Sequence, residues 1–155
     1  MNRLTVVVLL ALAGLFACHH EVDVEADVEA IKSLLNTRIK AFNDSDHESF
    51  MSLIADDAVW MPHEHPTIIG KDALRAWNNF DEVIYNVNLT IESIEVHSDW
   101  AFAREVWLGS VTPREGGEPY KFNNTNFDVL NRKADGSWVI THSIWNSDLP
   151  PAEAE

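Results

Sequence analysis

Apolar residues recur three and four positions apart at Val28, Ile31, Leu34, Leu35, Ile39 and Phe42, which draws one stripe along a helix from about Val24 to Asn43. Asn43-Asp44-Ser45-Asp46 interrupts the period, and Ser45 or Asp46 is placed to cap a second, shorter helix carrying Phe50, Met51, Leu53 and Ile54. Period two takes over from Asp56 to Met61, with Ala58 and Trp60 on one side and Val59 and Met61 on the other. Pro62-His63-Glu64-His65-Pro66 reads as a loop between prolines, and Thr67-Ile68-Ile69 leads to Gly70. A third helix fits Lys71 to about Ile84, where Ala73, Leu74, Trp77, Phe80 and Ile84 share a face. Everything after it reads as strand: Val87–His97, Trp100–Thr112, Tyr120–Arg132 and Ser137–Asn146. Tight turns at Ser98-Asp99 and Ala134-Asp135-Gly136, and a longer hairpin end from Pro113 to Pro119, separate these strands.

Helices with one apolar stripe and strands with one apolar face must be joined face to face. The expected class is α+β: a curled antiparallel sheet wrapped around three N-terminal helices, cone-shaped, with a pocket between the layers that suits a small organic ligand. Phe102, Val106 and Leu108 alternate with Ala103 and Trp107, so both sheet faces carry apolar side chains and the outer one is expected to make a homodimer.

The opening MNRLTVVVLLALAGLFAC has one positive charge at Arg3, an uncharged run from Leu4 to Ala17 and a small residue before Cys18, the layout of an export signal. Leu15-Phe16-Ala17-Cys18 resembles the bacterial lipobox, whose cysteine is acylated. The apolar run is shorter than the roughly 20 residues a spanning helix needs. Cys18 is the only cysteine, so no intramolecular disulfide can form. The division that follows is a signal peptide at 1–17, an acidic tether at 18–24, a domain at 25–148 and a tail at 149–155. Lipid on Cys18 would hold the protein in the cell envelope. His19, where inner-membrane retention favours an aspartate, points to the periplasmic face of the outer membrane. Asp and Glu number 25 against 11 Lys and Arg, a net charge of −14 that repels nucleic acid and bare anionic lipid surfaces.

Several stretches carry a family resemblance: Ala55-Asp56-Asp57-Ala58-Val59-Trp60-Met61-Pro62, Gly70-Lys71-Asp72-Ala73-Leu74, Asp135-Gly136-Ser137-Trp138-Val139-Ile140 and Ile144-Trp145-Asn146-Ser147. With the order of elements they resemble the NTF2-like superfamily in its SnoaL-like, DUF4440-type branch. That resemblance implies the curled-sheet fold but no single function, since the fold hosts isomerases, cyclases, dehydratases and non-catalytic binding proteins. The steroid isomerases of this fold move a proton with a pocket carboxylate and steady the enolate with a tyrosine and a protonated aspartic acid. Aligned on the Ala-Asp-Asp-Ala stretch, their base falls at Pro62, which has no proton to exchange, and their tyrosine at Arg38. Counting back from Trp145, an aromatic wall residue in the resemblance, their oxyanion aspartic acid falls at Asp128. Ser143 stands where many DUF4440-type sequences have an aspartate, and His142 precedes it.

The resemblance therefore implies a pocket lined by Arg38, Trp60, Asp128, Ser143 and Trp145. Asn123, Asn124 and Asn126 are unusual in a strand, and Asn126 among them is a candidate for a hydrogen-bonding wall to the ligand, the alternative being a wet face. Asp128 is the residue of most interest, because a carboxylate on an inner strand is costly unless paired or protonated. Glu105, beside Arg104, is expected as half of an ion pair or at the rim. His63-Glu64-His65 turns two imidazoles one way, but the sequence places no third ligand, so no metal is assigned. Neither phosphate cradle nor redox-cofactor signature is present, and no cofactor is assigned. Three functions stay open: a membrane-anchored small-molecule-binding domain, a SnoaL-like acid-base enzyme using Asp128 with His63 or His142 on a carbonyl-containing or hydrophobic ring compound, and a structural or assembly role.

Overall fold

The computed structural model describes residues 23–149; the signal segment, Cys18 and most of the tether and tail lie outside them. Helix α1 (Val24–Asp44) opens on Asp23, whose side chain accepts from the Ala26 amide, and closes at Ser45 in the left-handed conformation. Asp46 then caps α2 (His47–Ser52) by accepting from Ser49, so the two candidate residues divide the work, one ending a helix and the other starting the next. Strands β1 (Ile54–Met61) and β2 (Ile68–Ile69), helix α3 (Lys71–Trp77) and strands β3 (Val83–His97), β4 (Trp100–Pro113), β5 (Tyr120–Arg132) and β6 (Trp138–Ser147) complete the domain.

The six strands form one sheet in the order β2-β1-β6-β5-β4-β3. It is mixed, which corrects the all-antiparallel expectation: β1 and β6 run parallel, with Trp60 level with Ser143. Helix α3 also differs from expectation. It stops at Asn78, whose backbone is extended (ψ 130°) and whose side-chain amide donates to the Leu74 carbonyl. Phe80 still reaches the core, but Ile84 lies in β3 and is exposed. Its helical spacing with Trp77 and Phe80 is fortuitous, because a short turn delivers Phe80 inward.

The stripe on α1 supplies Ile31, Leu34 and Leu35 to a core shared with Phe50, Ile54, Trp60, Leu74, Ala101, Ala103, Leu130, Trp138 and Ile140. Two charged residues interrupt that stripe, Asp27 and Arg38, about three turns apart and so on one face. Both are buried, and each meets opposite charge on the sheet. Asp27 takes a two-pronged contact from Arg132 on β5, at 2.6 and 2.5 Å, and the same guanidinium lies 4.4 Å over the Trp138 ring. These contacts fix one end of the helix against the sheet. Arg38 fixes the middle of it at the site described below.

Gly109 on β4 lets the sheet curl closely. A Cβ there would stand 2.2 Å from the Asn86 carbonyl oxygen of the neighbouring strand, so any side chain would force the two strands apart. The outer face exposes Trp100, Leu108, Phe127 and Ile144.

Candidate functional site

The curl leaves a cavity of about 400 Å³ between α1, α2, the α3 end and the inner sheet face, within the range of small-molecule sites. Its walls are aromatic: Phe42, Phe50, Trp60, Trp77, Tyr85, Trp107, Tyr120, Phe122 and Trp145 all line it. Phe42 organises one wall, meeting Phe50, Phe80, Tyr85 and Trp107 edge-on at 4.9 to 5.4 Å. Trp77 and Trp145 stand 6.2 Å apart, and His65 rests edge-on against Trp77. Burial pushes the Tyr85 hydroxyl up to about 12, and it donates to Asn79 at 2.8 Å. At ordinary pH it is therefore a neutral wall group.

Strand register sets the polar floor. One row across the sheet runs Ala103, Asp128, Ser143, Trp60, and the next runs Ile91, Glu105, Asn126, Trp145. Both rows face inward, because alternate residues of each strand share a side. Arg38 reaches down from α1 onto them. Its Nη1 donates to Asp128 at 2.5 Å and its Nη2 to Glu105 at 2.6 Å, while Trp107 Nε1 donates to the same Glu105 oxygen at 2.7 Å. Its guanidinium also lies 4.7 Å over the Trp107 ring. All three charged side chains are sealed, at 1%, 0% and 0% exposure for Arg38, Glu105 and Asp128.

Two carboxyl groups share one guanidinium, so the cluster holds one negative charge too many unless it keeps a proton. Burial raises Glu105 to about 7, with the nearby Asp128 charge and a hydrogen bond between the two side chains adding to the rise, against the pull of Arg38 and Trp107. Burial works to lower the pKa of Arg38, but the two carboxylates outweigh it and hold the guanidinium above its usual value. Glu105 Oε1 and Asp128 Oδ1 have no donor. A proton on either group would let it donate to the other.

Arg38, Trp60, Asn126, Ser143 and Trp145 all line the cavity. Asp128 does not. It is ion-paired behind Arg38, so the charged pair is a closed contact rather than two groups facing a ligand. Asn124 and Asn126 face the cavity, whereas Asn123, level with the exposed Leu108, is on the other side. His63 sits at the rim with its side chain 42% exposed. His142 points to the outer face, in a shallow groove with Asn131, Lys133 and Thr141. The irregularity in the β5–β6 ladder falls between His142 and Ile140 and does not turn the imidazole inward, so His142 is not brought together with Asp128 or His63.

Glu105 is the residue whose role the sequence conceals. Its neighbour Arg104 suggests a local pair, yet adjacent strand residues face opposite ways, and Arg104 pairs instead with Glu92. Among the described residues, no group of three His, Cys, Asp or Glu side chains is arranged to hold a metal ion.

A curled mixed sheet with N-terminal helices packed on it and an aromatic cavity between the two layers fits an NTF2-like protein. The family model of the SnoaL-like domain matches residues 36–141, and the chain belongs to that family. Among solved structures it resembles a ketosteroid isomerase-like protein from Erwinia carotovora atroseptica SCRI1043, at 25% identity and TM-score 0.71 over 79% of this chain and 96% of that one. An NTF2-like protein of unknown function from Pseudomonas putida KT2440 matches at 19% identity and TM-score 0.62 over 82% and 98%. A protein from Catenulispora acidiphila, solved in complex with S-DNPA, matches at 21% and 0.66 over 80% and 95%. No curated protein matches the sequence.

Proposed function

We propose that this protein is an envelope-anchored binding domain whose cavity holds a small organic molecule, with a ring-containing apolar body against the tryptophans and one polar end at Asn126 and Ser143. One observation supports this reading above the others. The carboxyl groups suited to moving protons, Glu105 and Asp128, are sealed behind Arg38, and the groups that meet the cavity floor beside Arg38 are a neutral amide and a hydroxyl. An acid-base enzyme is the second reading. It is favoured by Glu105, because a carboxyl held near 7 suits proton transfer at neutral pH, but it requires Arg38 to swing aside.

The test uses 2-naphthylmethanol as a neutral two-ring ligand and the lining tryptophans Trp60, Trp77, Trp107 and Trp145 as reporters. Saturable quenching of tryptophan fluorescence is expected, weakened about tenfold in Trp145→Ala, equivalent to about 1.4 kcal/mol. No conjugated enone is expected to form from a β,γ-unsaturated ketone. Absence of saturable binding would reject the binding reading, and turnover that Glu105→Gln abolishes would establish the enzyme.

Anchoring rests on the signal-like run ending at the sole cysteine. Among the described residues no helix is long and apolar enough to cross a membrane. Attachment in this reading is by lipid on Cys18. Expressed in a bacterium, Cys18→Ser is expected to leave the membrane fraction or remain unprocessed. Mass spectrometry of the wild-type N-terminus decides the matter, and a native protein that begins beyond Cys18 without lipid would refute it.

A further inference from the structure

We infer that the cavity selects ligands whose polar end is a hydrogen-bond-donating cation, an ammonium carried on an apolar ring-bearing body; this rests on the binding reading above and names the class of ligand. The first observation is Asn126. It is 4% exposed, it lines the cavity floor, and its Oδ1 has no donor. A buried acceptor without a partner is costly, and a ligand N–H directed to the floor would satisfy it.

The second observation is the charge beneath that floor. Apart from His63 at the rim, Arg38 is the basic side chain among the described lining residues, and its charge is already met by two carboxylates at 2.5 and 2.6 Å. Its Nε has no partner, but an anion placed there would also lie close to Asp128 and Glu105. With both carboxylates ionised the cluster is net negative, and with one protonated it is neutral. Neither state attracts an anion through the buried site, where charges are poorly screened. The third observation is the wall. Trp60 and Trp145 line the cavity, and an indole attracts a cation through its ring while it offers an anion nothing comparable. The rim adds Glu64. A selectivity for ammonium thus follows from the charge, the acceptor and the aromatic wall that one row of the sheet brings side by side at Glu105, Asn126 and Trp145.

Three ligands of nearly one shape separate the possibilities: 2-naphthylmethylammonium, 2-naphthylmethanol and 2-naphthoate, titrated against the signal-free chain by tryptophan fluorescence and calorimetry at pH 8. The ammonium is expected to bind at least about thirtyfold tighter than the carboxylate, with the alcohol between them. The preference is expected to survive about 0.5 M NaCl, which screens the protein's overall negative field but not a contact inside the cavity. Asn126→Leu and Glu105→Gln, each first checked by thermal unfolding, are expected to reduce it about tenfold. If Asn126→Leu fails to fold, Glu105→Gln carries the comparison. Equal or reversed preference, or a preference that salt removes, overturns the inference while leaving the cavity a binding site. Failure of all three to bind overturns both.

Discussion

Replacing Arg38 by Met is expected to cost about 3 to 5 kcal/mol of folding stability at neutral pH, the largest effect anticipated for any single change in this chain. Arg38 donates to both Asp128 and Glu105, and removing it leaves two carboxyl groups facing each other without a counter-charge. Met fills much of the volume, so the loss reports charge rather than a void. Urea unfolding measures it, with Arg75→Met as the comparison. Arg75 also makes a close pair, with Glu48 at 2.5 Å, but on the surface, where such pairs contribute little. The loss at Arg38 is expected to shrink below about pH 7 as Glu105 takes up a proton. A cost below about 1 kcal/mol, the range of surface pairs, would show that the cluster relaxes or admits water and is not the closed contact described.

Glu105→Gln is expected to do the opposite. Glu105 is raised from 4.5 to about 7 in the folded protein, so between those values the folded state binds a proton that the unfolded chain has released. The stability this group contributes is therefore complete below 4.5 and is lost as pH rises through 7. The span corresponds to about 3 kcal/mol. Glutamine resembles the protonated acid: its carbonyl can accept from Trp107 and Arg38 while its amide donates to Asp128. Wild type and variant should unfold at similar temperatures near pH 4.5, and the variant should be the more stable at pH 8. Parallel pH profiles for the two proteins would show that Glu105 does not hold the proton.

The fold was legible wherever one periodicity governed a long segment. The α1 stripe, the alternation in β4 to β6 and the helix-starting cap at Asp46 follow from local chemistry, whereas Ser45, the other candidate for that cap, ends α1 instead. The direction of pairing between β1 and β6 was not, since a strand's own pattern does not name its neighbour. For the site, alternation along β5 places Asn124, Asn126 and Asp128 on one face, and alternation along β6 places Ser143 and Trp145 inward with His142 outward. What the sequence withheld was depth. Asp128 and Ser143 are level on adjacent strands, yet one lines the cavity and the other is covered by Arg38, a contact spanning 90 positions of the chain. A charged residue inside an apolar helical stripe was the available sign. Asp27 and Arg38 both show it, and both are buried.

The position of β6 in the sheet also decides what the sheet is before that strand has been made. β6, the last of the described strands, lies between β1 and β5, so it is an inner strand made after the five others. Until it leaves the ribosome, β1 and β5 stand with open edges beside a half-covered aromatic cavity. Such edges pair readily with other chains, and closing them joins segments from opposite ends of the domain, a slow step for contacts so distant in sequence. A chain cut before Trp138 is therefore a sheet divided in two rather than a shortened domain.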